Sequence, residues 1–212
     1  MKIFVISDIH GSVTAFNKAY NQFCKEDAEI MLICGDFLNH GPRNPIPDGY
    51  NPQELSKKLN ELKTKIACVK GNCDGEVDQM LINFSVLDPT CQIFLPFFAQ
   101  NTKPIFQTKC ENLSFQLNGK IFAHHGHRLN TQQVTDLTDE GTIIVSGHTH
   151  IPVLKAENNR IFLNPGSITL PKEQNEPSYA IIEYCKNGCK EKLTISLKTL
   201  TDETIKNLVA SV

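Results

Sequence analysis

The side chains of this chain that could carry chemistry are two aspartates, an asparagine and several histidines, placed in five short motifs. Carboxylate and amide oxygens and imidazole nitrogens are ligands that proteins use for divalent metal ions. The motifs are Asp8-Ile9-His10, Gly35-Asp36, Gly71-Asn72, His125-Gly126-His127 and Gly147-His148-Thr149-His150. This inventory meets the needs of a two-metal hydrolytic site and predicts cleavage of phosphoesters.

Asp36 is the best candidate for a bridging and catalytic ligand, because an aspartate after a glycine at a strand end can present both carboxylate oxygens to one crevice. Asp8 and His10 are two residues apart, so an extended segment would place both side chains on one side to hold one ion. Two ions about 3.5 to 4 Å apart lower the pKa of a shared water, and the resulting bridging hydroxide attacks the phosphoryl group. The remaining ligand-type residues would complete the two coordination spheres: Asn72, His125, His148 and His150.

Each motif follows a short apolar run, which is typical of a strand buried on both faces. The runs cover residues 2–6, 30–34, 66–69, 121–123 and 142–145. Helical spacing of apolar residues between them predicts helices over residues 13–23 and 52–62, the second behind an Asn51-Pro52 start signal. Because ligands of open α/β sheets collect beyond the carboxyl ends of the strands, we expect the five motifs to converge on one crevice.

The composition indicates one globular domain without a large excess of positive or negative charge. The chain has 212 residues, of which 40% are hydrophobic, enough for a sizeable buried core. A net charge of −2 and a pI near 6.4 argue against a dedicated nucleic-acid surface. There is no signal-peptide pattern and no apolar stretch of about 18 residues, so a cytoplasmic protein without membrane association is predicted. A homo-oligomer is left open.

Eight cysteines raise the question of disulfides or a zinc site. Cys34 and Cys68 lie in strand-like runs and Cys24 lies near a helix end, while only Cys185 and Cys189 approach ligand spacing. A paired Cys-x-x-Cys set is missing, and a chain of this length does not need disulfides. We therefore expect core thiols in a reducing compartment.

A turn signal, Lys186-Asn187-Gly188, separates two strand-like runs at residues 179–184 and 193–197. Such a signal between two apolar runs predicts a β-hairpin. We expect this hairpin to belong to a second sheet layer.

Each ligand motif alone has a simpler explanation, such as a helix cap, a plain turn or a hydrogen-bonded polar side chain. For one motif taken alone, that explanation is about as good as metal binding. Five strand ends that all carry metal-type residues beside glycines reduce the chance explanation to roughly one in twenty or less.

The order of the motifs resembles that of the calcineurin-like metallophosphoesterases. Four longer strings, at residues 7–12, 35–44, 71–80 and 164–167, resemble the bacterial YfcE-type phosphodiesterases still more closely. The resemblance covers about residues 1–185 and implies an α/β protein with a four-layer α/β/β/α sandwich. We expect residues 1–212 to form a single domain of this kind.

The resemblance also implies two divalent metal ions and a small phosphodiester substrate. Manganese is the ion usual in the family, with zinc, iron, cobalt and nickel as alternatives. In members of the family, the corresponding residues would divide into two ligand sets, Asp8, His10, Asp36 and His150 for one ion, and Asp36, Asn72, His125 and His148 for the other. Cyclic nucleotides, dinucleotides and glycerophosphodiesters all stay open as substrates.

One departure from the wider family is Cys73, which follows Asn72 where many relatives have a histidine that protonates the leaving oxygen. Cys73 is a candidate catalytic residue, since its thiol could in principle donate this proton, but a thiol with an ordinary pKa near 8.5 is a poor substitute for imidazole near pH 7. A preference for esters with good leaving groups is therefore predicted. Cys73 as a space-filling residue is an equally good explanation.

A second departure is an insertion around residues 88–119, where YfcE-type chains pass quickly to the next strand. The segment contains Phe94, Phe97, Phe98 and Phe106. An active-site lid, an oligomer contact, an extra hairpin and a plain surface loop all stay open for it.

Further polar residues near the motifs are candidates for substrate contacts. His40 and Arg43 follow Asp36 in a proline-containing loop, where the arginine could hold a phosphate in a bidentate manner or form a structural ion pair. His127 could face the substrate or support a ligand, whereas His124 is expected on the opposite strand face. The turn at residues 164–167 is expected to support the loop from His148 to His150.

A function of a different class competes with hydrolysis, because the same fold serves as a protein-interaction scaffold in Vps29-like retromer subunits with vestigial metal binding. All seven ligand positions are filled here, which favours an enzyme. A protein phosphatase is disfavoured because the Gly-Asn-His-Glu pattern is absent, and a DNA nuclease because a basic surface is absent.

Overall fold

The computed structural model describes residues 1–97, 105–107, 114–188 and 190–211. Within these residues the strands lie in two sheets. In chain order they are β1 (Lys2–Ile6), β2 (Ile30–Ile33), β3 (Ile66–Cys68), β4 (Thr90–Phe94), β5 (Ile105–Gln107), β6 (Ser114–Gln116), β7 (Lys120–His124), β8 (Ile143–Val145), β9 (Pro152–Glu157), β10 (Arg160–Pro165), β11 (Ser178–Asn187), β12 (Lys190–Thr199) and β13 (Thr204–Ser211). The larger sheet has the order β3-β2-β1-β11-β12-β13-β5-β6, and the smaller one β4-β7-β8-β10-β9.

The side chains of β1 point alternately to the two faces of the larger sheet, and this alternation shows how the layers are held together. Ile3 and Val5 point into the core between the two sheets, while Phe4 and Ile6 point into the core on the outer face of the larger sheet. A strand buried on both faces is apolar at every position, as the sequence indicates. All four side chains are 0% exposed, so β1 lies at the centre of the molecule.

Helices cover the outer face of each sheet. The described helices are α1 (Val13–Lys25), α2 (Pro52–Glu61), α3 (Glu76–Leu81) and α4 (Thr131–Leu137). Helices α1 and α2 pack on the larger sheet through Phe16, Phe23 and Leu55, and α4 packs on the smaller sheet through Val134. The result is the predicted four-layer α/β/β/α sandwich.

The two long helices begin where the sequence predicts. Ser12 caps α1, since its hydroxyl accepts a hydrogen bond from the N–H of Ala15 at 3.1 Å. Asn51 caps α2 in the same way by accepting from Glu54 N–H at 3.1 Å, directly before Pro52. Such caps satisfy backbone donors that have no partner inside the helix.

The predicted hairpin is present, but its placement in a second sheet layer is wrong. Strands β11 and β12 pair antiparallel over their whole length. Strand β11 also pairs with β1, with Phe4 opposite Ile181, so the hairpin continues the larger sheet. The stacking of Phe4 on Tyr179, with ring centroids 4.7 Å apart, is part of the core that joins the two strands.

The segment around residues 88–119 contributes strands to both sheets. Strand β4 pairs with β7 at the edge of the smaller sheet. In the larger sheet β5 pairs antiparallel with both β13 and β6. An extra hairpin was one of the four alternatives that the sequence left open for this segment, and the antiparallel pairing of β5 with β6 is compatible with it. Phe97 is buried and Phe94 is 48% exposed, while Phe98 and the side chain of Phe106 lie outside the described residues.

The six described cysteines are all free thiols. Cys34 is a core thiol as predicted, but the prediction is wrong for Cys24 and Cys185, which are exposed. Cys110 and Cys189 lie outside the described residues. In the part of the chain that the structure describes, no helix has the length and apolar character needed to cross a membrane.

Candidate metal centre

The ligand-type residues lie in turns after parallel strands, beyond the carboxyl ends of these strands in each sheet. Strands β1, β2 and β3 are parallel neighbours, as are β7 and β8, so their carboxyl ends lie together. The predicted extended geometry of the Asp8–His10 segment is wrong. Five ligand-type residues have left-handed backbones: Asp8 (φ 57°), His10 (φ 49°), Asp36 (φ 57°), His148 (φ 69°) and His150 (φ 62°).

Left-handed backbone is sparsely populated by residues other than glycine and costs of order 1 kcal/mol or more each. It turns the chain sharply at the strand end, which brings these side chains into the crevice between the sheets. Glycines make room for the turns. Gly35 has φ 90°, and a Cβ at Gly71 would overlap the Asp36 carboxylate, so the turns after β2 and β3 pack directly against each other.

The first cluster consists of Asp8, His10 and His150, all at least 97% buried. His10 Nδ1 lies 2.9 Å from the Asn39 carbonyl, and His150 Nδ1 lies 2.6 Å from the Leu170 carbonyl. A carbonyl accepts only, so each Nδ1 carries a proton, and when the ring is neutral each Nε2 keeps its lone pair. The two Nε2 atoms are nevertheless 3.2 Å apart, and His150 Nε2 is 3.2 Å from Asp8 Oδ1.

Three hydrogen-bond acceptors thus face one another in a buried space. Asp8 Oδ1 has no hydrogen-bond partner among the described residues. Its other oxygen is satisfied, because Ser7 Oγ donates to Oδ2 at 2.6 Å and His148 N–H donates to it at 3.0 Å. Facing acceptors repel unless a cation lies between them, so the donor set fits a divalent metal ion.

The second cluster consists of Asp36, Asn72 and His125. His125 Nδ1 lies 2.6 Å from the Cys34 carbonyl, which makes Nδ1 the protonated nitrogen when the ring is neutral. His125 Nε2 lies 3.0 Å from Asn72 Oδ1 and 3.5 Å from Asp36 Oδ2. The same Oδ2 lies 3.7 Å from His10 Nε2, so one carboxylate oxygen stands between the two clusters.

His148 completes the group of seven predicted ligands. Its ring centroid is 5.1 Å from that of His125, and it lines the cavity in front of the clusters. Burial, followed by the charge of His125, lowers the pKa of His148 below its ordinary value. The structure therefore brings together all seven side chains that the sequence singled out.

In the second cluster the surroundings favour the charged forms of both Asp36 and His125 when no metal is bound. Burial by itself would raise the pKa of Asp36, but the hydrogen bond and charge of His125 lower it to about 2. Burial would likewise lower the pKa of His125, but the hydrogen bond to Asp36 and the charges of Asp8 and Asp36 raise it to about 9. Near neutral pH without metal, a proton on His125 therefore occupies the position that suits a cation.

Asp74 is a buried residue of the site that sequence reasoning missed. It is 4% exposed, and its carboxylate accepts three backbone N–H groups, from Asp36 at 2.8 Å, Phe37 at 2.8 Å and Gly71 at 2.7 Å. Burial and the charge of Asp36 raise the pKa of Asp74 to about 7, against the effect of these donors. The carboxylate ties the turns after β2 and β3 together and so positions Asp36.

The turn at residues 164–167 supports the ligands as predicted. Asn164 Nδ2 donates to the Gly147 carbonyl at 2.8 Å and to Thr149 Oγ1 at 3.1 Å. Ser167 Oγ donates to the Asp8 carbonyl at 2.8 Å. One turn thus fixes the backbone on both sides of the first cluster.

Cys73 lines the cavity and contacts the second cluster. Its backbone N–H donates to Asp36 Oδ1 at 2.8 Å, and Asn72 Nδ2 donates to its sulfur at 3.2 Å. Burial, followed by the charge of Asp36, raises the pKa of the Cys73 thiol to about 12. A thiol of this kind keeps its proton at neutral pH.

The three predicted substrate contacts lie in different places. Arg43 lines the main cavity, which has a volume of 790 Å³. His40 packs edge-on against Tyr50, with ring centroids 5.2 Å apart, and is not among the described residues that line this cavity. His127 lies 5.3 Å from the His125 ring and lines a separate 250 Å³ cavity, which His124 also lines.

Lys172 also lines the main cavity, although no sequence pattern singles it out. It lies in the loop between β10 and β11, where its N–H donates to the His150 carbonyl at 3.2 Å. The loop position follows only from the tertiary fold, since no motif surrounds the residue.

Comparison with known proteins identifies the family of this chain. A model of the calcineurin-like phosphoesterase superfamily domain matches residues 1–187. The phosphodiesterase YfcE of Escherichia coli strain K12 is 36% identical over 183 residues, which cover 86% of this chain and 88% of the relative. The phosphodiesterase MJ0936 of Methanocaldococcus jannaschii is 24% identical over 167 residues, which cover 78% of this chain and 83% of the relative.

Solved structures lead to the same family. The structure of YfcE, a phosphoesterase from E. coli, matches with a TM-score of 0.80 at 33% identity and covers 98% of both chains. Vps29 of Entamoeba histolytica matches with a TM-score of 0.56 at 21% identity, covering 100% of this chain and 98% of the other, a likeness of fold alone. A family of phosphoesterases and relatives named as phosphodiesterases support hydrolytic activity. The chain belongs to the calcineurin-like phosphoesterase superfamily.

Proposed function

We propose that this protein is a phosphodiesterase that uses two divalent metal ions. The observation that supports the proposal most is the position of the Asp36 carboxylate, whose Oδ2 lies 3.7 Å from His10 Nε2 of the first cluster and 3.5 Å from His125 Nε2 of the second. The proposed ligand sets are Asp8, His10, Asp36 and His150 for one ion, and Asp36, Asn72, His125 and His148 for the other.

When bound, two such ions lower the pKa of a water held between them and neutralise charge on the phosphoryl oxygens. The chain keeps the ligands ready for this task. The carbonyls of Asn39, Leu170 and Cys34 hold the Nδ1 protons of three imidazoles and so direct each Nε2 at the site, although His125 has to lose its Nε2 proton before it can bind an ion. Burial of both carboxylates keeps bulk water from competing for the ions.

The mixed oxygen and nitrogen ligand set supports manganese as the first choice of ion. Carboxylate and amide oxygens suit manganese, and imidazoles suit zinc, iron or nickel as well. Thiolate ligands would shift the preference toward zinc, but none of the seven proposed ligands is a cysteine.

We also propose a preference for substrates with good leaving groups. A leaving oxygen of high basicity needs a proton donor with a pKa near the working pH. Cys73 adjoins the second cluster, and in the metal-free protein burial, followed by the charge of Asp36, raises the pKa of its thiol to about 12, too high for efficient proton transfer near pH 7. The histidines at the clusters are assigned as ligands, so they do not supply the proton.

The test is a panel of phosphomonoesters and phosphodiesters assayed with manganese-loaded protein. We expect nitrophenyl diesters to be cleaved, and alkyl diesters to be cleaved more slowly. Removal of metal with a chelator should abolish the activity, and manganese should restore it. Asp36→Asn should lower kcat/KM by more than about 100-fold, because it removes the negative charge and one of the two oxygens of the shared ligand.

Asp139→Asn is the matched control, since the Asp139 side chain is 78% exposed and pairs with Lys120. Equal activity of Asp36→Asn and the Asp139→Asn control would show that the assigned site is wrong. Equal rates on alkyl and nitrophenyl diesters would contradict the leaving-group preference alone. Absence of both manganese binding and diesterase activity would favour the Vps29-like scaffold.

A further inference from the structure

Two cationic side chains line the main cavity and have no anionic partner among the residues that the structure describes. Arg43 lies in the loop between β2 and α2, and Lys172 in the loop between β10 and β11. Both residues are exposed, and neither side chain makes a hydrogen bond or ion pair within the described residues. Two separate loops thus place one positive charge each beside the ligand clusters.

The loop that carries Arg43 is held by its neighbours and not by Arg43 itself. Asn44 Nδ2 donates to the His40 carbonyl at 2.8 Å, and Gly41 N–H donates to Asn39 Oδ1 at 2.8 Å. The Asn39 carbonyl in turn accepts the Nδ1 proton of a metal-ligand imidazole. The backbone at Arg43 is therefore tied to the first cluster, while the guanidinium keeps its five donors free.

Lys172 is placed in the same manner. Its N–H donates to the His150 carbonyl at 3.2 Å, and its carbonyl accepts from Asn175 N–H at 3.1 Å and from Asn175 Nδ2 at 2.7 Å. These three hydrogen bonds fix the backbone next to a metal ligand. The ammonium group has no part in them and stays available to a ligand.

A simple phosphodiester would leave the cavity with unbalanced positive charge. A phosphodiester has one negative charge, and the two metal ions of the proposed function would meet it. Asp36 is the only carboxylate among the described cavity-lining residues, and it serves as a metal ligand. The charges of Arg43 and Lys172 remain, and such a pair favours a further anion.

We propose that the substrate is a phosphodiester that carries a second phosphate group, which Arg43 and Lys172 bind while the scissile phosphate lies at the metal centre. The inference rests on the proposed function and narrows its substrate class. A volume of 790 Å³ accommodates a ligand of nucleotide size, larger than a minimal diester. Arginine and lysine together suit phosphate, one as a bidentate donor and the other as a point charge.

Two other roles for these cations give different results in a matched assay. If both are merely solvated surface charges, their removal changes nothing. If they contact the scissile phosphate, their removal weakens every diester to the same degree. Binding of a second phosphate predicts a loss confined to substrates that carry one.

The experiment compares two esters with manganese-loaded protein: thymidine 5′-(p-nitrophenyl phosphate) and the same compound with a 3′-phosphate. Both have the same scissile bond and leaving group. We expect kcat/KM to be at least about tenfold higher for the 3′-phosphorylated ester, the size of one charge-assisted hydrogen bond. Arg43→Met and Lys172→Met should each bring this ratio toward one, and Lys206→Met, on the exposed strand β13, should leave it unchanged.

Calorimetry supplies a readout that does not depend on turnover. Thymidine 3′,5′-bisphosphate should bind more tightly than thymidine 5′-monophosphate, and the advantage should shrink in Arg43→Met and Lys172→Met and at high salt. A ratio that both variants leave unchanged, or an equal loss on both esters, would overturn the second-phosphate site. An unmodified protein inactive on both esters would overturn the proposed function instead.

Discussion

At the scale of single residues, His125 shows how a proton and a metal ion compete for one position. Its Nε2 faces an amide oxygen and a carboxylate oxygen, both of which attract a cation. The pKa of His125 is raised to about 9, so the metal-free protein carries a proton there at neutral pH. Metal binding to the second cluster therefore has to release that proton.

The pH dependence of manganese binding follows from this competition. Because the pKa of His125 is raised to about 9, a proton on this side chain competes with the metal ion below pH 9. Manganese affinity should therefore rise with pH by up to about tenfold per pH unit and level off above pH 9. Calorimetry at pH 7 in buffers of different ionisation enthalpy should detect about one proton released per protein at this site. Manganese affinity that stays constant between pH 7 and pH 9 would contradict the expectation.

Asp74 and Lys172 show which residues sequence reasoning could not identify. Asp74 stands within a motif, but its three backbone donors come from two separate turns and become neighbours only in the folded chain. Lys172 has no motif around it at all. The seven ligand-type residues could be predicted, because each follows an apolar run and the ends of parallel strands lie together.

At the scale of elements, the turns after β2 and β3 depend on each other. Asp36 fits its left-handed position only because Gly71 has no side chain. The strands themselves were predictable from continuous apolar runs, but the left-handed backbone was not, since a two-residue spacing is compatible with several geometries. The sheet to which β11 belongs was mispredicted because an apolar run records burial on both faces but not the partner strand.

Gly71→Ala should displace the Asp36 carboxylate, because the added Cβ would overlap Asp36 Oδ1. We expect manganese affinity to fall by about tenfold or more, with helix and strand content retained in circular dichroism. Gly75→Ala is the control, since a Cβ there meets nothing within 4 Å. Wild-type manganese affinity in Gly71→Ala would mean that the contact between the two turns is not needed to position Asp36.

At the scale of the whole molecule, the proposed centre joins the two sheets. Asp8, Asp36 and Asn72 follow strands of the larger sheet, whereas His125 and His148 follow strands of the smaller one. Any ion held by both groups binds only the folded arrangement, because the unfolded chain does not bring the ligands together. Metal binding should therefore stabilise the protein against unfolding.

Thermal unfolding gives the corresponding measurement. Manganese at about 100 times its dissociation constant contributes about 2.7 kcal/mol, which raises the Tm of a domain of this size by roughly 5 to 10 °C. Asp36→Asn should remove most of this rise, and Asp139→Asn should retain it. An equal rise in both variants would place the stabilising ion elsewhere.

The contacts that orient three of the imidazoles come from the main chain, at the carbonyls of Cys34, Asn39 and Leu170. Every amino acid has such a carbonyl, so mutation at these three positions can replace the side chain and leave the contact in place. Selection on metal binding would then act on the path of the backbone and tolerate drift in residue identity there. A survey that ranks positions by conservation, or an alanine scan, would pass over the groups that aim the histidines at the site.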